Sequence, residues 1–267
     1  MTPKQKFTNI LLGTSIILSL SGCGHAAKNF KIADSYKSSL SKDNNLAIIT
    51  DVCLRVDESG EDTDHFAIYK SKEILTLLDT MFADNLKNSP FSIGYTINDS
   101  ACAFYKRPSK NVKMVINEDD EIIAGDLPYY LSDEANKEYR AAVQRVLYRS
   151  VVSANDKHFS EVFFTDKKIL NDLKLIKEVT SQNKLLIVAI KAGEVGATKK
   201  FGQSLKSAFL GGKVAVDYLH TYSVLIDMEQ NKAIWTTQNI YKYPSLYDQD
   251  FYNTDYYSLA FKSLQNR

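Results

Sequence analysis

Apolar and polar positions alternate along residues 46–56. Leu46, Ile48, Val52, Leu54 and Val56 fall on one side, with Ala47, Ile49, Asp51, Cys53 and Arg55 on the other. A period of two predicts a strand with one apolar face. An acidic turn follows, and over residues 66–87 the period changes: Ile74, Leu75, Leu78, Met81, Phe82 and Leu86 recur at helical spacing. Asn88, Ser89 and Pro90 stop that helix, residues 91–97 read as the next strand, and a short strand is expected over 102–105. Residues 131–153 predict a helix capped by Ser132, with Tyr139, Val143, Val146, Leu147 and Val151 on one side. Another spans 165–182 through Ile169, Leu173, Ile176 and Val179. The unbroken apolar run 185–190 has the pattern of a strand buried on both faces. Residues 214–226 alternate again and, after a turn at 227–232, residues 233–240 return as a hairpin. A last helix is expected over 251–264. This order predicts an α/β domain, a mixed β-sheet with helices packed mainly on one face.

The first 23 residues follow a different pattern. Lys4 and Lys6 precede the uncharged, mostly apolar stretch 7–20, which at 14 residues is too short to span a bilayer comfortably. Small residues close it, as in a secretory signal peptide. Leu20-Ser21-Gly22-Cys23 resembles the lipobox of bacterial lipoproteins at all four positions. The resemblance implies cleavage between Gly22 and Cys23, diacylglycerol on the Cys23 sulfur and an N-acyl chain, such as palmitate, on the new amine. Two or more acyl chains hold a protein stably at a membrane. Gly24 stands where Asp would retain an enterobacterial lipoprotein in the inner membrane, so the resemblance implies the outer membrane, with the domain facing the periplasm. The expected organisation is a signal peptide at 1–22, lipidated Cys23 with a polar tether to 44, and a periplasmic domain at 45–267.

Composition narrows the classes. With 44% apolar and 24% charged residues the chain is of ordinary globular type. Thirty-three basic residues face 32 acidic ones, a formal charge of +1, which argues against a nucleic-acid partner. Beyond Cys23 only Cys53 and Cys102 carry thiols. In an oxidising compartment they can pair, or serve as two small buried apolar residues; spacing alone does not decide.

Chemistry is sparse. His158 with Glu161 and Asp156 would approach one another on a helix, but no HExxH or paired CxxC accompanies them, and no metal site is expected. The run from Gly193 to Gly202 departs from phosphate-loop order and reads as a flexible connection. No GxSxG occurs, and no catalytic residue is assigned. Tyrosine is dense near the end. Tyr241, Tyr243, Tyr247, Tyr252, Tyr256 and Tyr257 form either a recognition patch or the packing of the last helix on the sheet. Trp235, the one tryptophan, is expected in the core.

Residues 222–235, which end in Ala-Ile-Trp after an Asp-initiated turn, are similar to a hairpin of several bacterial envelope lipoproteins. These include the curli secretion channel subunit and the outer-membrane activators of penicillin-binding proteins, which share a fold with the N-terminal domain of the Tol-Pal translocation protein. Asn231 takes the place of the turn glycine and tolerates left-handed backbone nearly as well. The resemblance implies architecture and location and brings no active site. A non-catalytic, membrane-anchored lipoprotein that binds or helps assemble another envelope protein is therefore expected, with no cofactor beyond its own lipid. A lipid-anchored envelope hydrolase, or an oligomeric secretion or assembly component, is the alternative.

Overall fold

Almost no side chain between residues 46 and 54 reaches water, and this stretch forms the centre of the sheet. The computed structural model describes residues 29–40, 44–57, 65–87, 89–104, 112–117, 119, 122–131, 136–154, 162–210 and 216–265. Its strands are β1 (Asn29–Ile32), β2 (Asn45–Asp57), β3 (His65–Ala67), β4 (Ser92–Ile97), β5 (Ser100–Ala101), β6 (Val112–Val115), β7 (Ile122–Gly125), β8 (Tyr129–Tyr130), β9 (Val162–Phe163), β10 (Lys184–Val195), β11 (Tyr218–Asp227) and β12 (Lys232–Lys242). Its helices are α1 (Tyr36–Ser39), α2 (Ile68–Leu86), α3 (Lys137–Ala154), α4 (Lys167–Thr180), α5 (Ala197–Leu210), α6 (Gln249–Phe251), α7 (Tyr257–Ala260) and α8 (Lys262–Gln265), with a π-helical turn at Tyr252–Tyr256. Among the described residues, no helix is long and apolar enough to cross a membrane.

The sheet runs β1-β12-β11-β10-β2-β3-β6-β7, and β4 lies along the first half of β2. β2 and β10 are parallel in continuous register from Leu46 beside Lys184 to Asp57 beside Val195, while β10, β11, β12 and β1 pair antiparallel. The sheet is therefore mixed and the fold α/β, as the order of elements predicts. Its helices, however, are divided between both faces. Leu46, Ile48, Val52 and Leu54 join Leu186, Val188 and Ile190 in a core with α2 and the C-terminal segment. Ala47, Ile49 and Cys53 join Leu185, Ile187 and Ala189 in a second core with α3 and α4. The side of β2 expected to be polar is thus buried too, because only Asp51 on it within the covered stretch is strongly polar.

Other boundaries moved for identifiable reasons. The tether expected up to residue 44 is partly folded: β1 pairs with β12, and Tyr36 is buried with its hydroxyl donating to the Leu264 carbonyl. Helix α3 starts at Lys137 instead of 131. Leu131 N–H donates to the Asp99 carbonyl at 2.7 Å, continuing the β8 pairing, and the Asn136 side chain accepts from Glu138 N–H at 2.8 Å as the working cap. Ser132 lies outside the described residues. The stretch 192–202 is not a loop: β10 continues to Val195, and after Gly196 helix α5 begins. The strand expected at 102–105 is instead β5, which ends at Ala101 where Cys102 turns to φ 63°. The late hairpin forms as expected. Asp227 accepts from the N–H groups of Glu229 and Gln230, both at 3.0 Å, and Asn231 takes φ 52°.

Candidate functional site

The two long parallel strands end together, and their carboxyl ends are where open α/β sheets place binding surfaces. Gly196 N–H donates to the Asp57 carbonyl at 2.9 Å, which ties the end of β10 to the end of β2. Asp217 organises the rest. One carboxylate oxygen accepts from Val195 N–H at 2.8 Å, the other from Lys200 Nζ at 2.7 Å, and its carbonyl accepts from Tyr243 N–H at 3.0 Å. Lys199 pairs with Asp57, and Lys70 pairs with Glu194 at 2.7 Å. Glu194 also accepts from the Tyr247 hydroxyl at 2.6 Å, while the Lys70 ammonium stands 5.6 Å from the Tyr247 ring centroid. Burial, then the bond to Glu194 and the negative charges around it, hold the Tyr247 phenol well above its ordinary pKa, so it stays a neutral donor. These partly exposed ion pairs are each worth less than about 1 kcal/mol. Their effect is to leave the lysines engaged and to fix the backbone around them.

Aromatic side chains stand out from this charged frame. Phe201 on α5 is 68% exposed, and Tyr243, turned outward by φ 56° just after β12, is 67% exposed. Both flank Asp217: Phe201 follows Lys200, which is bound to its carboxylate, and the Tyr243 N–H is bound to its carbonyl. Tyr218 at the start of β11 lies across Gly193 of β10, so closely that a Cβ on Gly193 would come within 2.2 Å of the ring. Glycine is required there for that approach.

On the face covered by α3 and α4, the half of the sheet nearest this end is only partly sheltered. Gln238 donates its amide to His220 Nε2 at 2.8 Å, which leaves the ring proton on Nδ1, 3.2 Å from the Tyr222 hydroxyl. Burial, and then Lys191, push the His220 pKa below its ordinary value, so the ring is neutral. Ile240, in register with His220, is 48% exposed. His220 is thus held by its cross-strand neighbours on β12.

Asp51 is the group that sequence reasoning missed. It is 0% exposed and lies on the same side of β2 as Cys53. Its carboxylate accepts from Phe104 N–H at 3.4 Å, from Ala103 N–H and from the Ser100 hydroxyl at 3.5 Å, holding the turn that carries Cys102. Burial outweighs those bonds and pushes its pKa up to about 7. A lone acid inside an otherwise apolar central strand was the available signal. Cys53 and Cys102 are joined in a disulfide, with Cα atoms 4.5 Å apart and both side chains buried.

The six tyrosines do not form one patch. Tyr241, Tyr252 and Tyr256 are core residues, so the recognition reading is corrected for these three; Tyr252 and Tyr256 sit in the π-helical turn against Tyr241 and Phe251. Tyr257 is half-buried and stacks on Phe261, and only Tyr243 and Tyr247 are exposed. Helical periodicity sends one side of the last segment to the sheet, and three of the tyrosines fall on that side. Trp235 is buried as expected, its indole N–H donating to the Ser263 hydroxyl at 3.2 Å. Gly22, Cys23, Asp156, His158 and Glu161 lie outside the described residues. Among the described residues no group of three or more His, Cys, Asp or Glu is placed to hold a metal. A cleft of about 310 Å³ opens between α3 and the start of α4, lined by Arg145, Tyr148, Arg149 and Phe164. Its Arg145 already binds Asp172 through two bonds of 2.7 and 2.6 Å. No protein family, curated protein or solved structure was found to match the chain.

Proposed function

We propose that this chain is a bacterial lipoprotein, lipidated at Cys23 and held at the outer membrane facing the periplasm, whose α/β domain binds another protein of the cell envelope. The observation that carries the reading is the Leu20-Ser21-Gly22-Cys23 tetrad at the end of an uncharged apolar stretch. Sulfur is the one side chain there nucleophilic enough to take a lipid. The likeness of residues 222–235 to an envelope-lipoprotein hairpin points the same way. For the partner, the half-sheltered sheet face around His220, Tyr222, Gln238 and Ile240 offers a contact area. It combines an exposed aliphatic group with polar side chains already fixed in place, which loses little entropy on binding.

Mass spectrometry of the mature N-terminus tests the anchor. Lipid mass on Cys23 is expected, together with an unprocessed chain for Cys23→Ser; an unmodified Cys23 on a processed protein refutes the claim. A photo-crosslinker introduced at Ile240 in growing cells tests the partner. One protein adduct of defined mass is expected, lost with Ile240→Asp; an adduct with a second copy of this chain would favour an oligomer, and no adduct would remove the assigned contact area.

A further inference from the structure

We infer that the strand-end surface of the domain lies against the bilayer, with Phe201 and Tyr243 seated at its headgroup–acyl boundary. The inference rests on the lipoprotein reading, because the lipid on Cys23 is what brings the bilayer near. The length of the connecting chain sets the geometry. β1 runs antiparallel to β12, with Asn29 beside Gln238 and Ile32 beside Trp235. The chain therefore enters the sheet from the end where β12 finishes, the end that carries Tyr243. Between Cys23 and Asn29 the chain advances by only six residues, which span at most about 20 Å whatever path they take. From the level of Gln238 to that of Tyr243 a strand rises about 17 Å. The lipid thus reaches the level of this surface and little beyond it.

The side chains select this surface as the one that meets the membrane. Among the described residues, Phe201 and Tyr243 are the two most exposed of the large hydrophobic side chains, at 68% and 67%. Helix α5 has 14 residues in which Phe201, Leu205 and Phe209 recur four apart, with Lys199, Lys200 and Lys206 among them. No described side chain of α5 enters either core. A helix of that sequence pattern, with Lys199 and Lys200 held by Asp57 and Asp217 and Phe201 exposed, suits the plane of a membrane interface. Charge defines what kind of contact this is. Lys70, Lys199 and Lys200 are neutralised by Glu194, Asp57 and Asp217. With these three lysines paired, they give anionic headgroups little to draw on. The contact is aromatic, and added salt does not release it.

The full-length lipidated protein, reconstituted in phosphatidylcholine vesicles with or without brominated acyl chains, tests the orientation. Native Trp235 is buried and supplies a constant background. Phe201→Trp and Tyr243→Trp are compared with Val179→Trp, a position near the end of α4 and 44% exposed. Helix α4 leads into the opposite end of the sheet, where β10 begins. Loss of emission to brominated lipid is expected for the first two and not for the third, unchanged at high salt. Vesicle-bound protein carrying lipid on Cys23 but showing no loss at 201 and 243, or an equal loss at 179, overturns the orientation and leaves the lipoprotein reading standing. Protein without lipid mass that does not float with the vesicles overturns both. In cells, a photo-crosslinker at Tyr243 that ends on a protein instead of phospholipid also overturns it and makes this surface the partner's.

Discussion

The Asp51 carboxyl links stability to pH in a direction opposite to most carboxylates. In the unfolded chain it ionises near pH 3.8, and in the folded protein near 7. Between those values the native state holds a proton that the unfolded state has released. Unfolding therefore releases a proton, and stability falls as pH rises. The contribution is complete below about pH 4 and lost as pH passes about 7. Three units at about 1.4 kcal/mol each set its size at ~4 kcal/mol. Asp51→Asn keeps the shape, and its amide oxygen can accept one of the backbone N–H groups of the turn, but it does not titrate. Urea unfolding of the wild type and the variant, measured from pH 4 to pH 8 on protein lacking residues 1–23, isolates the group. Asp79, Asp99 and His220 are also shifted by burial, yet they occur in both proteins and cancel in the difference. The variant is expected to be the less stable at pH 4 and to gain on the wild type by up to about 4 kcal/mol as pH rises to 8. A stability difference that stays constant across that range would refute the assignment of Asp51 as a buried, protonated acid.

Two other perturbations follow from the cores. Trp235→Ala removes a side chain of 0% exposure and its bond to Ser263, at an expected cost of ~3–5 kcal/mol. The emission of this one tryptophan should be blue-shifted and poorly quenched by iodide; emission like that of indole in water, with an unchanged melting point for the variant, would contradict the core placement. The disulfide closes a loop between residues 49 apart, so Cys53→Ala with Cys102→Ala is expected to cost about 2–4 kcal/mol. Full reactivity of both thiols in unreduced, denatured protein would exclude the bond.

Much of the architecture is legible where periodicity is strong. The stripe from Ile74 to Leu86, the run 185–190 and the Asp227-initiated hairpin give α2, the middle of β10 and the β11–β12 pair because burial leaves one pattern per element. What escapes has a physical cause in each case. β1 is a short edge strand of polar look, Asn-Phe-Lys-Ile, and only pairing with β12 makes it a strand. Helix α5 opens with Gly196 behind it and lysines in its first turn, which read as a loop. Asp51 looks like half of an alternating face, and only tertiary contact shows that its surroundings exclude water. The strand-end surface is assembled from Asp57, Lys70, Glu194, Lys200, Asp217 and Tyr243, residues spread over 186 positions, so no local pattern announces it.

The ladder between β2 and β10 has a temporal consequence. Leu46 pairs beside Lys184, and β1 finds its partner only when β12 exists. The hydroxyl of Tyr36 reaches the carbonyl of Leu264. Neither core can close on a growing chain, because each needs strands supplied by the last third of the sequence. Such remote pairing pays its loop-closure entropy before any burial rewards it, which slows folding. Local pieces such as α2 and the late hairpin can form early, while the apolar flanks of β2 wait exposed. The core of this topology closes only once residue 195 and the hairpin beyond it are available, and loss of β1 with Tyr36, or of the segment that ends at Leu264, opens the same core.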